Sequence, residues 1–252
     1  MSVTSDFEEL VAEAESASVD GWDFSWFDGR ATEERPSWGY SRILGERMAV
    51  AKAALDIQTG GGEVLATIPK PPKVLVATES WPPNLALARE KLRSLGGVVI
   101  EVADDAALPF ADAAFDLVVS RHPTTNLWAE IARVLESGGT YLSQQVGAGT
   151  NRELAEYLMG PQPVNPISDV ARLAAGVRAH GFEVLDARQE SLRIEFYDIG
   201  AVVHFLRKVI WTVPGFTVER YRARLLALHE QIRADGLFVS HSRRALIEAR
   251  KP

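Results

Sequence analysis

The residues best suited to chemistry lie in a glycine-rich segment that directly follows a short apolar run, Asp56-Ile57-Gln58-Thr59-Gly60-Gly61-Gly62. Glycine permits left-handed backbone conformations and lets the chain come close to a ligand. A strand that leads through such a turn into a helix is typical of cofactor sites in α/β proteins. We therefore expect a helix after the turn, and cofactor contacts from Asp56, Gln58, Thr59, Gly60 and Gly62.

Two cofactor classes use a turn of this kind. Dinucleotides favour the pattern G-x-G-x-x-G/A. With Gly60 and Gly62 as its first two glycines, the third position is Leu65, which cannot give the close helix–strand contact of a glycine. S-adenosylmethionine sites instead place an acid before three alternating glycines. Asp56, Gly60 and Gly62 fit this second pattern, and Gln58 stands at its first glycine.

Acidic residues follow the next two apolar runs of the chain. Glu79 ends the first of these runs, with Ser80 behind it, and a carboxylate there can accept hydrogen bonds from both hydroxyls of a ribose. Asp104 and Asp105 follow the second run, and Asp104 is the better placed of the two to accept from an adenine amino group. We expect these four residues to bind the nucleoside part of a cofactor.

A fourth apolar run ends in Ser120-Arg121-His122. We expect Ser120 and Arg121 near the cofactor, where Arg121 either neutralises a carboxylate of the cofactor or substrate or forms a surface ion pair. His122 would lie at the carboxyl edge of the sheet, where ligands bind in open α/β folds, and imidazole suits a general base. The alternative is a structural histidine that bonds to the neighbouring loop. The 5 histidines are scattered, so we expect no metal site.

Aromatic residues provide candidates for substrate binding. The segment Trp22–Tyr40 mixes rings with charged residues, glycine and proline without a clear period, which predicts an irregular cover anchored by its rings. Ring faces attract cations, so Trp26 and Trp38 are candidates for contact with a substrate. His204 and Trp211 are further candidates from an aromatic stretch near the C-terminus. Plain core packing is the alternative for each of these side chains.

Short apolar runs alternate with helical stretches between residues 53 and 146. Runs that are apolar throughout and separated by helices predict a parallel sheet covered on both faces, which is a doubly wound α/β fold. We predict an N-terminal helix and aromatic cover over residues 1–45, and one domain over 46–252 in which 189–240 form a helical and aromatic insertion on the substrate side. The predicted strands are Ala54–Ile57, Val74–Ala77, Val98–Val102, Leu117–Ser120, Thr140–Ser143, Phe182–Ala187 and Arg244–Ala249. Helices are predicted over residues 5–18, 84–95, 126–135 and 218–235.

The composition is that of an average globular protein, with 46% hydrophobic and 24% charged residues among 252. No apolar run approaches the roughly 18 residues of a membrane span, so we expect no membrane association. The chain has 0 cysteines, which fits a reducing compartment, and we expect it in the cytoplasm. A formal charge of -7 disfavours general nucleic-acid binding. A basic cluster nevertheless keeps an RNA substrate as an alternative: Arg220, Arg222 and Arg224, with Arg243, Arg244, Arg250 and Lys251.

Taken together, four ordered motifs resemble those of class I S-adenosylmethionine-dependent methyltransferases of the broad methyltransferase type 11 kind. The resemblance covers about residues 50–146, and the phrases around His122 and Gln144 are similar to a bacterial subgroup of this class. The motifs are Asp56–Gly62, Glu79, Asp104–Phe110 with Phe115–Ser120, and Arg133–Gly139.

The resemblance implies S-adenosyl-L-methionine as cofactor and a Rossmann-like sheet of seven strands, with the last inserted antiparallel beside the sixth. It also implies methyl transfer, and the acidic balance and the aromatic segments favour an oxygen or nitrogen atom of a small molecule as the acceptor. Gln58 is the main departure, since a side chain there either crowds the methionine part of the cofactor or donates to its carboxylate. An rRNA or tRNA methyltransferase, and a non-catalytic protein of the same fold that binds a cofactor or serves as a scaffold, are the alternatives.

Overall fold

The computed structural model describes residues 3–19, 24–163 and 169–252. The chain divides into two compact units, each assembled from three stretches. The first unit comprises Met1–Arg35, Gly149–Asn165 and Ser191–Arg243, and the second comprises Pro36–Ala148, Pro166–Glu190 and Arg244–Pro252. The domain limits expected at residues 45, 189 and 240 stay predictions.

Among the described residues, one sheet of eight strands carries the fold. The strands are β1 (Ala31–Glu33), β2 (Ala53–Ile57), β3 (Val74–Glu79), β4 (Val98–Glu101), β5 (Phe115–Arg121), β6 (Leu135–Val146), β7 (Glu183–Phe196) and β8 (Phe238–Arg250). Their order is β1-β7-β8-β6-β5-β2-β3-β4. The central strand β2 pairs in parallel with β3 and β5, whereas β8 is antiparallel to β6 and lies next to β7. The predicted Rossmann-like α/β fold, with its last strand antiparallel beside the sixth predicted strand, is confirmed.

The central strands of the second unit are buried on both faces. In β2, Ala54 belongs to one hydrophobic cluster and Leu55 to another. In β5, Leu117 and Val118 are divided between the same two clusters. Because successive side chains of a strand point to opposite faces, apolar cores lie on both sides of these strands, as a parallel sheet covered by helices requires.

Eight α-helices are found in the described part of the chain. They are α1 (Val3–Ser16), α2 (Tyr40–Val50), α3 (Pro82–Leu92), α4 (Trp128–Val134), α5 (Arg152–Met159), α6 (Val170–Ala179), α7 (Ile199–Lys208) and α8 (Val218–Asp235). The helices predicted over 5–18, 84–95 and 126–135 correspond to α1, α3 and α4 with shifted ends, and the helix predicted over 218–235 is α8 with the same ends. None of the described helices combines the length and the apolarity that a membrane span requires.

The sheet has one strand more than the seven that were predicted. The additional strand, β1, pairs antiparallel with the last residues of β7, where Ala31 is opposite Phe196. It lies in the segment that we expected to be irregular, and with three residues it is too short to show an alternation of apolar and polar side chains. Trp22, at the start of that predicted cover, lies outside the described residues.

The prediction of a helix directly after the glycine-rich turn is wrong. The turn leads only to a single 3-10 turn at Leu65–Thr67 before β3 begins. Pro69, Pro71 and Pro72 follow it, and proline has no N–H to donate within a helix. The turn therefore has no N-terminus of an α-helix directly behind it.

Candidate functional site

The glycine-rich turn follows the end of β2 in the chain and is hydrogen-bonded to the end of β3. Gly60 and Gly62 have φ angles of +66° and +76°, which glycine adopts with the least strain. The N–H of Gly60 donates to Oε2 of Glu79 at 2.8 Å. A Cβ atom on Gly62 would lie 3.2 Å from the Cα of Ala88, so the turn packs directly on α3. The geometry of the turn thus requires glycine at position 62.

Glu79 is buried at the end of β3, with 6% of its surface exposed. Its Oε1 accepts hydrogen bonds from the N–H groups of Ser80 at 3.0 Å and Trp81 at 2.9 Å, while its Oε2 accepts from Gly60. A carboxylate offers about four acceptor sites, so these contacts leave one site, on Oε2, for a ligand. Ser80 contacts Glu79 through its backbone N–H.

The side chain of Gln58 connects the loops that follow β4 and β5. Its Oε1 accepts from the N–H of Thr124 at 2.6 Å, and its Nε2 donates to the carbonyl oxygen of Thr125 at 3.0 Å. Thr124 Oγ1 in turn donates to Oδ2 of Asp104 at 2.6 Å. We call these contacts among Gln58, Asp104, Thr124 and Thr125 the Gln58 bridge. Through it, the acid expected to accept from an adenine already has a partner, while Asp105 beside it is exposed.

Gln58 and His122 share a backbone conformation that is strained for any residue with a side chain. Their φ angles are +57° and +55°. They follow neighbouring parallel strands, in which Ile57 and Ser120 are register partners. A non-glycine residue in this region costs about 1–2 kcal/mol, and such strain is concentrated at functional sites. The conformation at Gln58 is the one that makes glycine the usual residue at this position of the motif.

Asp56 is a buried acid that supports the turn from within. It is 7% exposed, and its Oδ2 accepts the hydroxyl of Thr59 at 2.7 Å. Burial raises the pKa of Asp56 to about 7, against the hydrogen bond from Thr59 and the charge of Arg121, both of which lower it. Asp56 and Thr59 thus hold the turn, and the structure does not place the Asp56 side chain at an open surface.

The His122 ring is held by a chain of two hydrogen bonds that runs from Trp38 through Gln144. Its backbone N–H donates to the carbonyl oxygen of Gln144 at 2.7 Å, and its ring Nε2 lies 3.2 Å from Nε2 of Gln144. The Trp38 indole, which can only donate, bonds to Oε1 of Gln144 at 2.8 Å, so the Gln144 amide must donate to His122. The ring proton of His122 is therefore on Nδ1. Desolvation, followed by the charges of Arg121 and Arg244, lowers the pKa of His122, so the ring is neutral near pH 7.

Two of the predicted contacts have side chains that are committed to the interior. Ser120 is 2% exposed, and its hydroxyl lies 2.9 Å from both Tyr141 Oη and Ser143 Oγ. Trp38 is equally buried, so its ring is not open to a substrate and acts through the Gln144 amide instead. Arg121, in contrast, is exposed at the end of β5.

The other residues predicted to bind substrate lie in the first unit. The ring centroids of His204 and Trp26 are 4.3 Å apart, and both side chains line a cavity of about 480 Å³. His204 is 1% exposed, and burial lowers its pKa. Trp211 is 56% exposed in the loop after α7. The structure therefore brings Trp26 and His204 together within this unit.

Sequence reasoning did not identify Thr124, Thr125 and Gln144 as parts of the site. Gln144 and Gln145 form a buried polar pair at the end of β6, after the buried Tyr141 and Leu142, and this was an available signal. Thr124 and Thr125 carry no such signal, because ordinary loop residues become important only through contacts that are distant in sequence.

A comparison with protein families finds a match in the central part of the chain. Residues 55–143 match the family model described as a methyltransferase domain, and this segment contains the turn, Glu79, Asp104 and His122. This match and the fold are consistent with a class I methyltransferase. No curated protein matches the chain at a significant level.

Solved structures with a similar fold include a putative methyltransferase from Bacillus halodurans, at 18% identity and a TM-score of 0.59, over 86% of this chain and 99% of that one. The [4+2]-cyclase SpnF has 20% identity and a TM-score of 0.51, over 99% and 93% of the two chains. Geranyl diphosphate C-methyltransferase from Streptomyces coelicolor, solved with Mg²⁺, geranyl diphosphate and S-adenosyl-L-homocysteine, has 13% identity and a TM-score of 0.52, over 85% and 79%. At these identities the likeness shows the fold alone.

The residues at this edge fit the nucleoside part of S-adenosylmethionine, the cofactor that the class implies. Glu79 and Asp104 follow adjacent strands, and Glu79 keeps one acceptor site on Oε2. The turn is built from glycines that allow close backbone approach. The side chain of Gln58 lies between the loops that follow β4 and β5. In the described ranges, no three histidine, aspartate or glutamate side chains come together as metal ligands.

Proposed function

We propose that this protein transfers a methyl group from S-adenosylmethionine to an oxygen or nitrogen atom of a small molecule. The observation that carries the proposal is Glu79, a buried carboxylate that is bonded to the glycine-rich turn through Gly60 and retains one open acceptor site. The fold already fixes the orientation of this carboxylate, so a ligand hydroxyl that binds there meets a positioned acceptor.

The residues of this chain mainly bind and align. When bound, S-adenosylmethionine supplies an electrophilic methyl group, and its transfer is an in-line displacement in which alignment is the main contribution of a protein. Oε2 of Glu79 would accept a hydroxyl of the ribose, since three backbone N–H groups already bond to the carboxylate. Asp104 would accept from the adenine amino group, and Gly60–Gly62 would lie beside the methionine part.

His122 faces the acceptor in this proposal, and its tautomer defines what it can do. Its lone pair at Nε2 is bonded to the Gln144 amide, so Nδ1–H is the group available to a substrate. This supports a role as hydrogen-bond donor that orients the acceptor atom. Direct proton abstraction by His122 would first require the Gln144 contact to break.

Several contacts favour a small molecule over RNA as the acceptor. Two of the arginines that left RNA open have partners within the protein: Arg222 pairs with Glu8, and Arg224 donates to the Tyr157 carbonyl oxygen at 2.7 Å. The cavity beside Trp26 and His204 has a size suited to a small ligand. We retain Trp26, His204 and Trp211 as proposed substrate contacts, and we propose a cytoplasmic location from the absence of cysteine.

A second candidate is a non-catalytic protein of the same fold. The Gln58 bridge favours it, because the bridge occupies the loops at which a nucleoside would be recognised. The cyclase among the structural neighbours adds that this fold is not restricted to methyl transfer.

Isothermal titration of the full chain with S-adenosylhomocysteine tests the proposal. We expect saturable binding, and weakening by about 1.5–3 kcal/mol in Glu79→Ala, the usual value of a hydrogen bond to a charged group. Glu101→Gln is the matched control, because Glu101 lies opposite Glu79 in the register of β3 and β4 and is exposed. Equal affinity of folded Glu79→Ala and wild type would remove Glu79 from the site. Binding without turnover on any acceptor would favour the second candidate.

A further inference from the structure

We propose that Gln58 is an internal occupant of the nucleoside site: its carboxamide closes the loops after β4 and β5 on one another, and the cofactor must displace it to reach Asp104. The inference rests on the proposed function and concerns the same site. It makes Gln58 a residue that determines how tightly this protein holds its cofactor.

The carboxamide of Gln58 is almost fully used by contacts with the two loops. Oε1 accepts from the Thr124 N–H at 2.6 Å, and Nε2 donates to Thr125 at 3.0 Å and, at the longer distance of 3.5 Å, to the carbonyl oxygen of Asp104. A primary amide has two donor hydrogens and one oxygen, so little of its hydrogen-bonding capacity is left. A ligand gains nothing from the Gln58 amide unless these bonds break first.

The hydroxyl of Thr124 is committed to Asp104. It lies 2.6 Å from Oδ2 of Asp104 and 3.0 Å from Oε1 of Gln58, and a hydroxyl has only one proton to donate. The shorter contact to the carboxylate takes that proton. Gln58 therefore fixes the backbone N–H of Thr124, and the hydroxyl of Thr124 takes one acceptor site on Oδ2 of Asp104.

The fold maintains Gln58 in this position despite the strain of its backbone. The φ angle of Gln58 is +57°, and its backbone N–H donates to Oγ1 of Thr78 at 3.2 Å. The next N–H, of Thr59, donates to the carbonyl oxygen of Thr78 at 2.9 Å. These contacts with β3 fix the direction in which the Gln58 side chain leaves the backbone. Glycine would accept the same backbone without strain and without a side chain between the loops.

The test compares the affinity of the full chain for S-adenosylhomocysteine in wild type, Gln58→Gly and Gln58→Ala, by isothermal titration. Without the bridge, the loops are free to receive the nucleoside, so we expect Gln58→Gly to bind about tenfold more tightly, equivalent to about 1.4 kcal/mol. Gln58→Ala removes the same amide but keeps the backbone strain, and we expect it to increase the affinity as well. Thr124→Ala releases Asp104 alone and should give a smaller gain.

Ala113→Gly is the matched control for backbone strain. Ala113 has a φ angle of +52° and is exposed in the loop before β5, so glycine there relieves a similar strain away from the bridge. We expect its affinity to equal that of wild type. A gain in Ala113→Gly as large as that in Gln58→Gly would overturn the proposal, because strain and not the bridge would then set the affinity.

A second measurement uses the side-chain amide resonances of Gln58 in the ¹⁵N-labelled wild-type protein. We expect them to shift towards those of a solvent-exposed glutamine when S-adenosylhomocysteine is added. Unchanged resonances at saturation, or equal or weaker binding by both Gln58 variants, would show that Gln58 belongs to the bound site and refute displacement. Absence of binding in every variant, Gln58→Gly included, would refute the proposed function as well, so the two failures are distinguishable.

Discussion

Replacing Asp56 by asparagine should change how the stability of the protein depends on pH. Burial raises the pKa of Asp56 from 3.8 to about 7 in the folded state. Between these values the folded state binds a proton that the unfolded chain has lost, so the free energy of unfolding falls as the pH rises. The contribution of Asp56 is fully present below about pH 4 and is lost as the pH rises through 7.

The size of the effect follows from the displacement of the pKa. Each unit corresponds to about 1.4 kcal/mol, so a displacement of about three units gives a ceiling of about 4 kcal/mol. Asparagine has a similar shape, its oxygen still accepts the hydroxyl of Thr59, and it does not titrate. The stability of Asp56→Asn relative to wild type should therefore increase from pH 4.5 to pH 8, by several kcal/mol at most, and then level off.

Urea unfolding followed by tryptophan fluorescence at half-unit intervals of pH measures this difference, and the titration of all other groups cancels in the comparison. Asp105→Asn, at an exposed position after β4, controls for the exchange of acid for amide at the surface. A difference between Asp56→Asn and wild type that is constant with pH, or that decreases as the pH rises, would show that Asp56 is not a buried acid with a raised pKa.

Two further predictions concern the supports of the site. Gly62→Ala should destabilise the protein more than Gly96→Ala in thermal or urea unfolding. Both residues have positive φ, which costs alanine about 1–2 kcal/mol, but only a Cβ at position 62 would contact backbone, at 3.2 Å. Equal losses of stability would contradict the packing argument. Arg133→Lys should speed hydrogen exchange in residues 104–112, because the guanidinium donates to the carbonyl oxygens at 108 and 110 and lysine cannot make both bonds. Arg42→Lys, in an exposed pair on α2, should leave that exchange unchanged.

The strands of the second unit could be predicted because each is a continuous apolar run between helical stretches, which only a sheet buried on both faces explains. The positions of Glu79 and Asp104 follow from those strands, since parallel strands end at the same edge. The helix predicted after the turn failed for a local reason that the sequence already contains, namely the prolines at 69, 71 and 72. The three residues of β1 pair through backbone groups, which leave no pattern in side-chain type.

The parts of the site that could not be predicted depend on conformation and on distant contacts. Residue type does not indicate that Gln58 and His122 are left-handed, because side chains other than glycine rarely adopt that conformation. The partners of the Gln58 side chain lie 46 to 67 residues away in the sequence. Likewise, the tautomer of His122 follows from Trp38, which is 106 residues from the glutamine that connects them.

The paired left-handed residues at the ends of β2 and β5 have a consequence for engineering. Glycine at either position would remove an unfavourable backbone energy, so a search that ranks variants by heat tolerance alone would select it. Such a selection would remove the amide of Gln58 and the imidazole of His122, although the selected variants would tolerate heat better. Ligand affinity has to be scored beside melting temperature when this molecule is optimised.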